Sequence, residues 1–463
     1  MQSSCQLFRI FCSCLLLIGC TKNHSFSDRL EQDKFIQVYF NHRHTEPLQF
    51  TDPYRQIKRS GDDLEAVILE EIATAKSSID LAVQELNLPR IALALARQHR
   101  AGVKVRVILD SNYSRSWASL SATEVKKLPS SDRQKYKQFF QLVDLDRNGQ
   151  LSPTEVAQRD AISILQQAGV ELIDDRADGS KGSGLMHHKF MVVDGRTVIA
   201  GSANFTLSGL VGDLDAPATR GNVNHLIRLE NTEIAQLFRE EFNYMWGNPS
   251  LGIASKFGLA KPWRSPQTVS WGDTSVTIQF APTSQKRTWS SSTNGLIAHT
   301  LDEAQESIDL ALFVFSEQEL ANVLQTKSES GVKIRGVFDA GFAYRYYSEV
   351  LDLRGRFGYW RCQVEANNNP WVNSLDTVGT ANLNSGDKLH HKFTLIDKQT
   401  IISGSQNWSK AANRINDEAV IIIRNLTVSQ HFQREFERLY SNVLLEIPAG
   451  SRQKLERQFQ QCS

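Results

Sequence analysis

Cysteine is scarce in this chain: of six among 463 residues, Cys5, Cys12, Cys14 and Cys20 crowd into the first twenty positions. A cysteine-dense framework of the kind that staples small secreted domains is thereby excluded. Cys362 and Cys462 remain as one pair, open to a single disulfide or to two separate thiols, and neither sits in a motif that marks a nucleophile or a metal site. Charge of one sign is lacking too, since 52 Lys and Arg against 51 Asp and Glu leave a net charge of +1. That balance argues against a surface dominated by phosphate-backbone binding and leaves room only for a local basic cleft. Beyond residue 20 no apolar run approaches the roughly 20 residues that cross a bilayer. At this length, with 41% hydrophobic and 22% charged residues, two or more globular domains are expected.

The first twenty residues read differently. Met1 to Gly19 carries one cation, Arg9, then a short apolar core ending in Leu17-Ile18-Gly19-Cys20. It is too short to span and reads as a signal peptide. The ending resembles a bacterial lipobox, which makes Cys20 the anchored first residue of the mature protein; an ordinary secretory signal cleaved nearby is the alternative. Either way the protein is expected to leave the cytoplasm, and with the anchor it sits in the cell envelope, facing the periplasm or the exterior.

The densest chemistry lies in two near-identical stretches, MHHKFMVVDGRTVIAGSAN at Met186 to Asn204 and LHHKFTLIDKQTIISGSQN at Leu389 to Asn407. Both spell H-x-K-x4-D-x6-G-S-x-N, through His187, Lys189, Asp194, Gly201, Ser202 and Asn204, and through His390, Lys392, Asp397, Gly404, Ser405 and Asn407. Six fixed positions coincide by chance about once in 10^8 starts, at roughly 5% each. Two β-rich runs around a polar break predict a hairpin. Alternation puts His187 and Lys189 on one face and turns His188 away. Asp194 and Asp397, of opposite parity at the strand end, read as scaffold charges. The Gly-Ser turn is expected to bring backbone N–H groups, the Ser202 or Ser405 hydroxyl and the Asn204 or Asn407 amide towards the same pair, a donor set suited to phosphate oxygens.

The hairpins belong to a longer repeat. Ser78 to Ala82 recurs at Ser307 to Ala311, and Gly102 to Asp110 at Gly331 to Asp339, each 229 residues on; Phe238 and Phe242 recur as Phe432 and Phe436, 194 on. Helical and strand periodicities alternate between these markers, so each half is expected to be a sheet covered by helices. The falling offset places 26 extra residues between Asp110 and His187. Within them Asp144, Asp146, Asn148, Gly149, Gln150, Ser152 and Glu155 match D-x-[DN]-x-[DN]-G-x5-E, the single calcium loop of an EF-hand. Asp144, Asp146, Asn148, the Gln150 carbonyl and a bidentate Glu155 offer oxygen ligands to a hard cation, structural or regulatory in role. A polar turn that mimics the pattern is the alternative.

The paired motifs resemble the HKD motifs of the phospholipase D superfamily, and with the repeat the resemblance covers most of the chain. It implies an α/β fold of two phospholipase D-like α/β/α sandwich domains in one chain, forming a pseudo-two-fold dimer with a helix-loop-helix insertion. The expected boundaries are 1–19 for the signal peptide, 20–250 for the first domain with its insertion at 131–168, 251–274 for a linker, and 275–463 for the second domain. No obligatory protein partner is implied. The resemblance also implies that one imidazole attacks phosphorus to give a phosphohistidine while the other protonates the leaving alkoxide and then activates water or an alcohol, with no catalytic metal required. At the offset of 194, Glu418 aligns with Asn224, about where the family orients each histidine. A carboxylate beside His390 and an amide beside His187 would make His187 the nucleophile and His390 the acid and base. A one-residue shift would put His225 in place of Asn224. Three function classes follow: a phospholipase D acting on glycerophospholipids at the membrane, a nuclease acting on DNA or RNA phosphodiesters, and a non-catalytic calcium-responsive binding protein. The aromatic residues Tyr344, Tyr346, Tyr347, Tyr359, Trp360 and Trp371 read as a mixture of core and interfacial rim.

Overall fold

The structure is a computed structural model that describes residues 29–43 and 49–462; the expected leader and Cys20 lie outside them. The main sheet of the first half has seven strands, β1 (Ile36–Phe40), β2 (Ser78–Val83), β3 (Lys104–Leu109), β4 (Glu171–Asp174), β5 (Lys189–Val193), β6 (Thr197–Gly201) and β7 (His225–Glu230). They form one sheet in the order β1-β7-β6-β5-β2-β3-β4. β2, β3 and β4 run parallel, and the remaining neighbours pair antiparallel.

The second half supplies β8 (Gln267–Trp271), β9 (Thr274–Ala281), β10 (Ser307–Leu312), β11 (Lys333–Phe338), β12 (Val378–Thr380), β13 (Lys392–Ile396), β14 (Thr400–Gly404) and β15 (Glu418–Arg424). Their order is β8-β9-β15-β14-β13-β10-β11-β12. Without β8 this repeats the first sheet strand for strand. β8 corrects the expected linker at 251–274: the stretch from Gln267 alternates with only Val269 buried, as a half-covered edge strand should, and pairs along its whole length with β9.

Side-chain parity sorts the sheets into layers. Met191 and Val193 of β5 face an outer core with Ile68, Ile72, Ile91 and Leu95 from the helices Leu64–Thr74 and Pro89–Arg100. Phe190 and Val192 face inward, into a core continuous with Phe393 and Leu395 of the second half and filled by Phe238, Phe242, Phe432 and Phe436 from the helices Thr232–Trp246 and Leu426–Tyr440. One apolar layer therefore belongs to both halves, and the hairpins are held against each other by core rather than by a linker.

The hairpin turns carry Asp194-Gly195 at φ +52° and +60°, and Asp397-Lys398 at +49° and +58°. Two left-handed residues match the right-handed twist of the strands they join. The glycine at each strand exit is required for a different reason: a Cβ at Gly404 would lie 2.1 Å from the Ala419 carbonyl oxygen, and one at Gly201 2.3 Å from that of His225. This close approach fixes where the following serine sits.

The insertion folds as helices Ser130–Val143, Pro153–Arg159 and Ala161–Gln167, the loop lying between the first two. Cys362 and Cys462 form a disulfide that ties the last helix, Ala449–Cys462, to the loop after β11. No helix among the described residues is long and apolar enough to cross a membrane.

Candidate active site

Two isolated parallel bridges stitch the halves together where the motifs begin, Met186 with Asp417 and Val223 with Leu389. His187 N donates to the Asp417 carbonyl and His390 N to the Val223 carbonyl, each at 3.0 Å. Each histidine is thus placed beside the residue that follows the bridge on the opposite half. His187 Nδ1 lies 2.7 Å from Glu418 Oε1 and 2.8 Å from Oε2, while His390 Nδ1 lies 2.9 Å from Asn224 Oδ1.

This crosses the pairing expected from the aligned repeat, which assigned Glu418 to His390 and Asn224 to His187. The repeat aligns residues within each half, whereas the bridges that set these contacts run between halves, and alignment carries no information about them. Asn224 does hold the orienting position. His225 points the other way, with Nε2 2.7 Å from Ser403 Oγ and Nδ1 3.0 Å from His391 Nδ1.

The two lysines sit behind the imidazoles. Lys189 Nζ donates to the His187 carbonyl at 2.8 Å and Lys392 Nζ to that of His390 at 2.7 Å. Both are almost fully buried. Burial pushes the Lys189 ammonium down to about 7 and Lys392 well below the ordinary lysine range, with Lys189 as a further cause for the latter. Burial followed by the two lysines also pushes both imidazoles well down, so the neutral ring is the resting form. Burial raises Glu418 to about 7 against the pull of Lys189. An anion between the lysines would supply the charge this pocket lacks.

The surroundings are not symmetric. In the first half Gln84 Oε1 accepts from Asn204 Nδ2 at 3.2 Å and lies 3.5 Å from Lys189 Nζ. In the second half the corresponding place is taken by Phe313, whose ring stands 4.6 Å from the His390 ring and 4.9 Å from Lys392 Nζ. The side-chain Oδ1 atoms of Asn204 and Asn407 are buried without a hydrogen-bond partner among the described residues. Gln84 and Phe313 went unnamed in the sequence, yet each stands two residues past the S-I-D-L-A marker, 229 apart, where a repeat alignment finds them.

The serines do other work than expected. Ser202 Oγ donates to Asn224 Oδ1 and Ser405 Oγ to Glu418 Oε2, both at 2.7 Å. Their backbone N–H groups bond the carbonyls of His225 and Ala419, so these amides are spent in the sheet and do not face a phosphate. Strand pairing at the glycine decides this. Ser202 and Ser405 position the groups that position the histidines. His188 and His391, turned away by parity, bond Glu241 at 2.9 Å and Glu435 at 3.0 Å beneath the site.

Asp194 and Asp397 lie at the far end of their strands from the histidines. Asp194 accepts backbone N–H groups of Lys76, Ser77 and Ser78, and Asp397 those of Gln305, Glu306 and Ser307. Each closes the turn that leads into the strand beside it. Asp194→Ala is expected to cost about 2–3 kcal/mol in denaturant unfolding, the range for losing charge-assisted bonds. The fraction that remains folded should keep its turnover.

In the inserted loop, carboxylate oxygens of Asp144, Asp146 and Glu155 lie within 4.8 Å of one another. Asp144 accepts from the N–H of Asn148 and Gly149, Asn148 Oδ1 from Gln150 N, and Glu155 from Leu145 N and Ser152 N. Gly149 makes the sharp turn at φ +80°. All the converging donors are oxygens, which fits calcium. The helix entering the loop reaches the active site: Lys135 Nζ bonds Glu85 Oε2 at 2.9 Å and the Tyr113 hydroxyl at 3.0 Å, and Glu85 follows Gln84.

Comparison with known proteins agrees with this geometry. Residues 68–246 and 297–440 match the family model described as cardiolipin synthase, PLD-like domain. The chain is 31% identical over 137 residues to a mitochondrial cardiolipin hydrolase of Homo sapiens, a match covering 30% of this chain and 46% of that protein. It is 28% identical over 148 residues to a phospholipase D of Rickettsia conorii, covering 32% and 64%. It thus spans about half the length of the curated relatives it matches. Over nearly all its length it shares the fold of phosphatidylserine synthase from Haemophilus influenzae Rd KW20, with a TM-score of 0.56 and 13% identity, covering 93% of this chain and 94% of that one.

Proposed function

The chain belongs to the phospholipase D superfamily, and from that premise we propose that it is a phosphodiesterase that hydrolyses or transfers phosphatidyl groups of glycerophospholipids. The observation that carries this is the crossed pair of imidazoles, each with Nδ1 held by an acceptor from the other half and each backed by a buried lysine. With Nδ1–H tied to Glu418, the lone pair of His187 is on Nε2. It attacks phosphorus, forming an N–P bond as the bond to the leaving oxygen breaks. Glu418 then faces the cationic phosphoimidazolium and stabilises it. His390, facing a neutral amide, is the acid.

Burial disfavours a proton on His390 in the free site, but a bound phosphodiester anion offsets the two lysines and restores it. Without a carboxylate at Nδ1 its imidazolium stays the stronger acid of the two. It gives that proton to the departing alkoxide, then takes one from water or an alcohol that displaces His187. The role of nucleophile thus remains with His187 for a reason opposite to the one the aligned repeat suggested. A lipid substrate is favoured by the Phe313 ring against His390, itself backed by Phe342, by the near-zero net charge, and by the relatives' names.

Calcium held by Asp144, Asp146, Asn148, Gln150 and Glu155 belongs to the same proposal, as a brace on the helix that reaches Glu85. So does export with a lipid anchor at Cys20, a location in which the Cys362–Cys462 disulfide would persist. The test is a side-by-side assay on phospholipid vesicles and on single- and double-stranded DNA, with calcium or chelator and with His187→Ala as blank. Headgroup release that the substitution abolishes is the expected result, with a lower melting temperature in chelator. Cleavage of DNA alone would move the protein to the nuclease reading.

A further inference from the structure

The loop after β11 leaves the sheet at the active-site end, where Asp339 Oδ2 accepts the Leu389 N–H just before His390. From there a run of rings leads outward. Phe313 against His390 meets Phe342 at 4.7 Å, and Arg345 lies over Phe342. Tyr346, next in the chain, touches Tyr347 at 5.1 Å and stacks on Trp360 at 5.3 Å. Trp371 is buried, but Trp360 is 56% exposed, Phe357 44% and Tyr346 36%. The exposed cations Arg345, Arg356 and Arg361 stand among them, and none is paired with a carboxylate among the described residues.

This surface is held rigidly. Trp360 and Gln363 exchange both backbone hydrogen bonds, with Arg361 and Cys362 at the tip at φ +51° and +56°. Two consecutive non-glycine residues in the left-handed region persist only where the surroundings impose it. Here the Cys362–Cys462 disulfide and a bond from Gln458 Nε2 to the Tyr359 carbonyl fasten the turn to the last helix. An exposed Trp and Tyr pair at a fixed turn, with Arg361 over the Trp360 ring and no carboxylate paired with the neighbouring arginines among the described residues, has the chemistry of the boundary between lipid headgroups and acyl chains.

We propose that the disulfide-fastened tip carrying Tyr346, Phe357, Trp360 and Arg361 docks the protein on an anionic phospholipid bilayer, with the ring path leading lipid phosphates to His390. The proposal deepens the phospholipid reading and rests on it. Binding is therefore measured without turnover, in full-length chain carrying His187→Ala and Cys20→Ser, on phosphatidylcholine vesicles with and without phosphatidylglycerol. Reversing Arg361 with Arg361→Glu should weaken binding to the anionic vesicles roughly twentyfold. Trp360→Ala should weaken it roughly tenfold. With His187 restored, both variants should turn over a monomeric p-nitrophenyl phosphodiester at the parent rate, which shows that they fold.

Parent-like binding by both variants, or equal parent binding to neutral and anionic vesicles, would overturn the docking surface. So would a loss confined to single-stranded DNA, titrated as a further probe on the same variants. Failure of the phospholipid reading shows separately, as absence of headgroup release by the parent with His187 intact.

Discussion

His390→Ala should stall after one turnover on a p-nitrophenyl phosphodiester and leave on His187 a phosphoryl group that still carries the second ester alcohol. The nitrophenolate leaves without a proton, so the first step does not need His390. Release does need it, because water must lose a proton as it attacks. On a phospholipid, whose alkoxide must be protonated, the same variant should lose about four orders of magnitude in rate or more. His187→Ala should be inactive on both substrates and show no burst. Quenched-flow kinetics with mass spectrometry of the trapped protein distinguishes the two. A burst in His187→Ala and none in His390→Ala would exchange the roles, and with them the part assigned to Glu418.

That role assignment shows where sequence stops being informative. The hairpins, the doubling of the α/β half and the inserted loop were legible because each rests on local periodicity or on spacing within one half. Parity alone turned His188 and His391 away from the site and moved Asp194 and Asp397 to the far end of their strands. What was not legible is anything settled between halves. Glu418 and Asn224 were singled out correctly as an asymmetric pair, yet their partners were exchanged, because the bridges at Asp417 and Val223 are tertiary. Ser202 and Ser405 were misread for a related reason: the strand approaching Gly201 and Gly404 consumes their amides, and only the structure shows how close it comes. The edge strand β8 was missed because a single buried residue, Val269, marks it.

Lys392→Met should lower turnover by roughly two to three orders of magnitude, the usual cost of removing one donor from a site where charge develops. The buried lysines also predict the direction in which affinity changes with pH. Lys189 in the free protein is pushed down to about 7 by burial, and Lys392 lower than the ordinary range. Below that value Lys189 is already charged, and its contribution to phosphate affinity is flat. Above it the free site has lost the proton, and a phosphate diester must bring one in to recover the ion pair. Affinity for a non-hydrolysable phosphonate should therefore fall as pH rises from about 7, by up to tenfold per unit for each lysine so recharged, until the pKa of the bound form is passed. Each binding event should take up a measurable fraction of a proton, shared between the lysines and His390, whose proton the bound anion also restores. Calorimetry in buffers of different ionisation enthalpy, on His187→Ala so that nothing turns over, reads both quantities. Lys392→Met should reduce the uptake along with the affinity. Equal affinity from about pH 6 to about pH 9 with no uptake would mean that both ammonium groups are charged before the phosphate arrives, and that the site is built as a preformed cation pair rather than one completed by its substrate.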